Sequence, residues 1–397
     1  MPDKDPIVIV GAARTPIGGF LGDLKEATAP HLGTVAIKGA LEDSGISSND
    51  IDDVLMGVVL SAGIGQAPAR QASRGAEIPD HAGCTTINKM CGSGMKATML
   101  AHDCLLAGSA KVVVAGGMES MSNAPYLLPK ARSGYRLGHG DKIKDHMFLD
   151  GLEDAYDEGK LMGCYAEDTA TRYQFTREEQ DDFAIESLSR AKKAIENDTF
   201  KQEISPVKIQ NRKGEIIIYK DEQPLKANIE KIRTLKPAFA NEGTVTPANS
   251  SSISDGAAAL VLMRLSEAEK RALTPIAKIS GHSSHAHEPA WFTTAPIGAV
   301  KKLIQKVGWS TKQVDLYEIN EAFAVVTMAA IRELSLHSDI VNIHGGACAL
   351  GHPIGASGAR IIVTLLAALK KYDLNKGVAS LCIGGGEATA IAVEMLN

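Results

Sequence analysis

Asn88-Lys89-Met90-Cys91-Gly92-Ser93-Gly94-Met95-Lys96-Ala97 is the stretch on which the fold turns. A cysteine stands directly before Gly-Ser-Gly, and an apolar, alanine-rich run follows to about Ala107. The pattern predicts a thiol at the start of a helix. Met95, Met99, Leu100, Cys104, Leu105 and Leu106 spread round most of that helix, so burial on most sides is expected. Thr85 to Asn88 predicts a short strand leading in, and Val112 to Gly117 a strand leading out.

Working outward, the stretch has an echo. Gly92-Ser93-Gly94-Met95-Lys96-Ala97 resembles Ala356-Ser357-Gly358-Ala359-Arg360-Ile361, and Val113-Val114-Ala115-Gly116-Gly117-Met118-Glu119 resembles Leu381-Cys382-Ile383-Gly384-Gly385-Gly386-Glu387. Two such matches in order indicate an internal repeat. In the second half the closing strand, Ala390 to Met395, follows its glycine turn at once. Its counterpart, around Ala258 to Met263, comes only after a polar segment. Residues 122–250 therefore read as an insertion into the first half. This gives residues 1–121 with 251–273 as one half, 122–250 as an inserted loop domain, and 274–397 as the other half. The two glycine turns and the two apolar helices should meet around a pseudo-two-fold axis.

The other elements fit that frame. Strands are predicted at Ile7–Ala12, Val54–Val59, Ile276–Ser280, Val314–Ile319 and Val378–Cys382. Helices are predicted at His31–Ser44, Ala67–Ala76, Arg177–Glu196, Pro296–Val307, Glu321–Leu336 and Ala359–Lys371. Strands alternating with helices argue an α/β architecture with a mostly parallel sheet. The run Glu178-Glu179-Gln180-Asp181-Asp182 reads as a solvated helix face.

Composition bounds the function. The 397 residues are 44% hydrophobic and 22% charged, with a net charge of -5, an ordinary soluble balance with no dense basic stripe. Nucleic acid and anionic membrane are not expected partners. No 18-residue apolar run or signal peptide is evident. The six cysteines form no C-x-x-C pair, which predicts reduced thiols in a cytoplasmic compartment rather than a zinc site. His282, His285 and His287 lack helix-face ligand spacing and read as a loop, so no metal is expected. There is no G-x-G-x-x-G after a strand and no P-loop motif.

The chemistry points to a nucleophilic thiol. A helix N-terminus favours the thiolate, and the small residues beside Cys91 leave room for a substrate and an oxyanion. The ordinary fate of a free cysteine is a small buried hydrophobe, and Cys84, Cys104, Cys164 and Cys348 read that way. His352, between Gly351 and Pro353, could take the Cys91 proton or could be a turn residue bonded to backbone. Cys382, before three glycines, could be a base, a resolving thiol or core packing.

These segments, with Gly116-Gly117-Met118-Glu119-Ser120-Met121-Ser122, Asn320-Glu321-Ala322-Phe323-Ala324 and Gly351-His352-Pro353-Ile354-Gly355-Ala356-Ser357-Gly358, resemble the thiolase family end to end, in its acetyl-CoA C-acetyltransferase (acetoacetyl-CoA thiolase) type. The resemblance implies the thiolase fold: two pseudo-repeated βαβαβαββ halves in a five-layer αβαβα core, with a loop domain inserted. It implies that Cys91 takes the acyl group, that His352 assists thiolate formation, and that Cys382 removes a proton from C2 of a second acetyl-CoA. Asn320 would hold a water that forms an oxyanion site with His352. The Cys91 and Gly384 N–H groups would form the other. No tightly bound cofactor is implied. The substrates would be the coenzyme A thioesters acetyl-CoA and acetoacetyl-CoA, with CoA itself. Ser251 is expected on the pantetheine arm. The sequence departs from the family at Leu161-Met162, where many members carry His before Met. It departs again at Leu225-Lys226, near a missing Arg, and at Phe292, where acetoacetyl-type members often have Met. These positions are the expected CoA and acyl-pocket contacts. A homotetramer is implied, with residues 122–146 as its contact loop. A 3-ketoacyl-CoA thiolase of longer or 2-methyl-branched range is the alternative, and a non-catalytic acyl-CoA-binding or lipid-binding protein of this fold a more distant one.

Overall fold

The computed structural model describes residues 5–139, 142–211 and 214–396. Gly140 and Asp141 of the expected contact loop, and Arg212 and Lys213, lie outside the described residues. The first half contributes strands β1 (Ile7–Arg14), β2 (Asp53–Gly57), β3 (Gly83–Ile87), β4 (Val112–Ser120) and β5 (Ser254–Arg264). Its helices are α1 (Ala29–Ser44), α2 (Pro68–Gly75) and α3 (Ser93–Ala107). The insertion carries α4 (Met162–Tyr173) and α5 (Arg177–Glu196). The second half has β6 (Ala277–Ala286), β7 (Leu316–Ile319), β8 (Lys376–Ile383) and β9 (Glu387–Met395), with α6 (Ala295–Val307), α7 (Ala324–Leu334) and α8 (Ile354–Lys371).

Both halves wind their strands in the same order. The first runs β3-β2-β4-β5-β1, and the second β7-β8-β9-β6, where the third strand shrinks to a bridge between Tyr317 and Val341. β1 meets β6 at the shared edge. The sheet is mixed rather than mostly parallel. β2, β3 and β4 pair in parallel, as do β7 and β8. The returning strands β5 and β9, and the edge strands β1 and β6, pair antiparallel. Parallel pairing needs a crossover. β8 reaches β9 through a tight turn, and antiparallel pairing follows. β5 arrives from the insertion but takes the equivalent place beside β4.

Period-two alternation assigns each strand face to a layer. Val8, Val10, Val112, Val114, Val261 and Met263 pack with Leu32, Ala36 and Ile37 of α1. Ile7, Ile9, Val113, Ala115, Leu260 and Leu262 face inward. There they meet α3 and α8, together with Leu381, Ile391 and Val393 of the other sheet. The far face of that sheet, Tyr317, Ile319, Val378, Ala390 and Ala392, is covered by α6. The layers are thus helix, sheet, paired α3 and α8, sheet, helix.

The middle layer pairs α3 with α8. Fifteen of the eighteen residues of α8 are buried, the state expected of a helix apolar nearly all round. The two helices meet at glycines. A Cβ on Gly358 would stand 2.4 Å from the Met95 nitrogen, and one on Gly94 2.9 Å from the Ala359 nitrogen. On α3 the burial is narrower than its sequence suggests: Met95, Met99 and Leu105 are buried, but Leu100 and Leu106 are exposed.

The insertion leaves the sheet after Ser120 and rejoins it at Ser254. Buried Arg14 on β1 holds it, through Glu203 at 2.5 Å and both oxygens of Asp221 at 2.8 and 2.9 Å. A capping box from Thr176 and Glu179 starts α5 at the expected residue. The acidic run there is not wholly solvated. Asp181 is buried between Arg177 and the Asn249 amide, and Gln180 is buried beside Thr244. Two helices differ in their starts. α7 begins at Ala324 because Asn320 to Phe323 is used to turn the chain, while α8 begins five residues before the expected Ala359. His282 and His285 lie on strand β6, not in a loop. Among the described residues no helix is long and apolar enough to cross a membrane.

Candidate active site

The Cys91 loop is a tight turn between β3 and α3. Met90 adopts φ 47°, an uncommon left-handed conformation for a residue with a side chain. Its neighbours hold it there. Asn88 Oδ1 accepts from the Met90 N–H at 2.9 Å, and Ser93 Oγ donates to the Met90 carbonyl at 2.6 Å while accepting from the Lys89 N–H at 2.8 Å. Gly92 is needed because a Cβ would stand 2.3 Å from Ile383 Cδ1, at the end of β8. This places the first half's turn against the second half's.

The N–H groups of Gly384 and of Cys91 itself favour the Cys91 thiolate. Burial nevertheless pushes the thiol up to about 11, aided by the Glu119 carboxylate. The expected lowering by the helix end is overturned. The Gly92 and Ser93 N–H groups, which a helix start would offer to the sulfur, are spent on the carbonyls of Lys89 and Met90. A base is therefore required.

His352 is buried just before α8, and its own N–H donates to the Ser252 carbonyl at 3.1 Å. Its Nδ1 lies 2.6 Å from Ser357 Oγ. Ser357 donates its hydroxyl proton to the Pro353 carbonyl at 3.0 Å, so it accepts from Nδ1–H. These partners assign the tautomer and leave the Nε2 lone pair for the site. Nε2 is buried and has no partner among the described residues. Burial, and the nearby Arg360 charge, depress the imidazole to about 3, so it is neutral. Of the two expectations for His352, the turn histidine does not fit, because neither ring nitrogen bonds to backbone. Asn320 is buried between them, its Nδ2 3.4 Å from His352 Nδ1 and its Oδ1 3.4 Å from Arg360 Nη2.

Cys382 ends β8 inside an apolar cluster with Phe292, Phe323, Tyr165, Val325 and Met162. Burial first, and then Cys91, push its thiol well above the ordinary range. Phe292 meets Tyr165 edge-on at 6.3 Å between centroids. Met162 Sδ lies 3.7 Å from where a Cβ on Gly384 would stand. Gly385 and Gly386 take φ 93° and 87°, which side chains resist. Beyond them Glu387 forms an ion pair with Lys89, two residues before Cys91, tying the two turns together.

Cys91, Cys382, Gly384, Met162 and Phe292 thus belong to one region, with His352 and Asn320 at the start of the partner helix. Ser251 sits on its edge, its N–H donating to the Ala322 carbonyl at 2.9 Å. Next to it, Ser252 and Ala248 line a groove of about 250 Å³ with Leu235, Ile232 and Cys348. Leu161 is half-buried at the start of α4. Lys226, the position expected near the adenine end of CoA, is exposed and engaged with Glu222 and Asp23, between Gln223 and Ala227, which line the same groove.

Sequence reasoning missed Glu119. It is fully buried and accepts from Val59, Leu60 and Gly355 N–H groups at 3.0, 3.1 and 2.9 Å. It thereby clamps the turn after β2 to the start of α8. Burial pushes it up to about 7 against those three bonds. Its signal was present in the repeat, where it matches Glu387.

Residues 7–266 match the family described as thiolase, N-terminal domain, and residues 273–395 the one described as thiolase, C-terminal domain. Acetyl-CoA acetyltransferase 2 of Arabidopsis thaliana is 49% identical over 393 residues, 98% of this chain and 97% of that protein. The crystal structure of the Bacillus anthracis acetyl-CoA acetyltransferase is similar with a TM-score of 0.96 at 41% identity, covering 99% of each chain. That of the Acat5 thiolase from Ascaris suum, in complex with coenzyme A, gives 0.93 at 43% identity, covering 98% of this chain and 100% of the other.

Proposed function

The chain belongs to the thiolase family, and from that premise we propose that it is an acetyl-CoA C-acetyltransferase, an acyltransferase that joins two acetyl-CoA into acetoacetyl-CoA and CoA and runs the thiolysis in reverse. The observation that carries the reading is the meeting of two thiol-bearing turns: Gly92, next to Cys91, lies against Ile383, next to the second thiol, Cys382. One thiol to hold an acyl group and another to deprotonate a partner is what a Claisen condensation needs.

In the proposed sequence His352 Nε2 takes the Cys91 proton, and Sγ attacks the acyl carbon of acetyl-CoA. The bond to the CoA sulfur breaks, and that sulfur takes the proton of the Cys382 thiol, which leaves Cys382 a thiolate. Cys382 then removes a C2 proton from a second acetyl-CoA. The carbanion attacks the Cys91 thioester carbonyl, the bond to Cys91 breaks, and the Cys91 sulfur takes back the proton held on His352. The Cys91 and Gly384 N–H groups are set to hold the oxyanion of that step, and His352 with a water on Asn320 that of the other. Ser251, Met162, Leu161 and Phe292 are proposed contacts of the CoA arm and acyl group. Lys226 is proposed toward the adenine end of the same arm, beside the groove lined by Gln223 and Ala227.

The inserted residues 122–250 are proposed to supply CoA contacts and oligomer contacts, in a homotetramer that light scattering would detect. Unpaired cysteines support a reducing, cytoplasmic setting.

Cys91→Ser tests the nucleophile: both thiolysis and condensation should vanish, and full activity would overturn it. Cys382→Ala should still show an acetyl mass on Cys91 after mixing with acetyl-CoA, yet form no acetoacetyl-CoA. Comparing thiolysis of acetoacetyl-CoA, 2-methylacetoacetyl-CoA and a long 3-ketoacyl-CoA separates the short-chain reading from its branched and long-chain alternatives.

A further inference from the structure

We propose that His102, Asp103 and His282 form a divalent transition-metal site of the zinc type. It would pin the helix that follows the nucleophile to a strand of the second half. His102 and Asp103 are consecutive on α3, and His282 lies on β6, paired in register with Ile391 of β9. His282 Nε2 stands 2.9 Å from Asp103 Oδ1, and His102 Nδ1 stands 3.2 Å from the same oxygen. One ligand atom from each of the three residues falls within 4.8 Å of the others. The imidazoles meet edge-to-face with centroids 5.0 Å apart.

Zinc bonds to nitrogen and oxygen of about 2.0–2.2 Å set neighbouring ligands of a tetrahedral centre roughly 3.3 Å apart. Both His–Asp separations are within a few tenths of an ångström of that spacing. Capture of an ion would need only a small outward shift of the carboxylate. Two imidazoles with one carboxylate select zinc, cobalt or nickel over magnesium and calcium, which take more oxygen ligands.

The surroundings suit ligation. The two imidazole side chains are 13% and 11% exposed and stand on regular elements, so the pair is held in place. Asp103 is 51% exposed, leaving a solvent side for a water as the fourth ligand. Lys306 is near, with Nζ donating to the His282 carbonyl oxygen at 3.0 Å rather than entering between the ligands.

The site stands apart from the thiols, and its test does not depend on the acyl-transfer reading. Metal-stripped full-length protein is titrated with Co²⁺ and followed by calorimetry, visible absorption and thermal melting. One saturable equivalent is expected, with the d–d bands of a nitrogen and oxygen site, no thiolate-to-cobalt charge-transfer band, and a raised melting temperature. His282→Gln and Asp103→Asn should each weaken uptake at least about tenfold. Asp103→Asn can still hydrogen-bond both rings, so its metal-free melting curve should match the parent and separates lost ligation from lost folding. No saturable uptake, equal uptake by both variants, or a charge-transfer band that assigns the ion to cysteine would overturn the proposal.

Discussion

Cys91 and His352 start as a neutral pair, because burial acts on both in the same sense. It raises the thiol to about 11 and depresses the imidazole to about 3. In the free enzyme the thiolate fraction therefore grows tenfold per pH unit across neutrality. The rate of iodoacetamide inactivation should climb with that slope between about pH 6 and 9. A plateau below pH 8 would instead reveal a preformed thiolate–imidazolium pair. Ser357 sets the imidazole tautomer by accepting from Nδ1. Ser357→Ala should lower kcat about ten- to a hundredfold, the loss of a hydrogen bond to a group that becomes charged, with KM little changed. Restoration of most of the rate by Ser357→Thr would separate tautomer control from packing. At this scale the sequence announced the reactive residues but not their states. Cys91, His352 and Cys382 stood out through their glycine neighbours. Their ionisation depends on burial and on Arg360, Glu119 and Gly384, residues distant in the chain.

The element that organises the site is the crossing of α3 and α8. It exists because Gly94 and Gly358 let backbone approach backbone, while Gly117 and Gly355 bring β4 against α8, and the repeat in the sequence pointed to that crossing. Gly358→Ala would drive a methyl carbon to 2.4 Å from the Met95 nitrogen. A loss of roughly 1–3 kcal/mol in urea unfolding is expected, with activity falling further because α8 also carries Ser357. A fully stable and active variant would contradict the close approach. Glu119 acts at the same scale by joining two turns and α8. Glu119→Gln replaces one acceptor oxygen with a donor facing N–H groups, so it should destabilise by about 1–3 kcal/mol. Element boundaries in the sequence were less secure. α8 begins at Ile354 because Pro353 suits a helix start, whereas α7 starts late because Asn320 to Phe323 is used to bring Asn320 beside His352 and Arg360.

Across the whole molecule, buried acids should govern the pH dependence of stability. Burial raises Glu318 to about 8, despite the opposing Arg360 charge, and Glu119 to about 7, from 4.5. A folded state that holds its protons longer than the unfolded chain loses stability as pH rises through that interval. Buried histidines act oppositely. His344, lowered to about 4, and His352, lowered to about 3, favour folding as pH rises, but their effect is half spent at 6.5 and nearly gone about one unit above it, where the unfolded imidazole has lost its proton. Above about pH 7.5 these histidines no longer oppose the carboxyls, so the urea midpoint should fall from there to about pH 8.5. A rising midpoint would contradict the assigned shifts, and Glu119→Gln should reduce the fall.

The sequence by itself determined the family, and it singled out the repeat, the insertion and the three candidate residues Cys91, His352 and Cys382. These are local patterns: hydrophobic period, glycine placement and short motifs. Tertiary structure decided the rest. It made the sheet mixed, raised the Cys91 thiol and set His282 beside Asp103. Each of these depends on which distant surfaces meet, and on the water that their meeting removes. Cys91 itself marks the division: its place before Gly-Ser-Gly is written in the chain, while the turn its loop packs against, at Ile383, belongs to the other half.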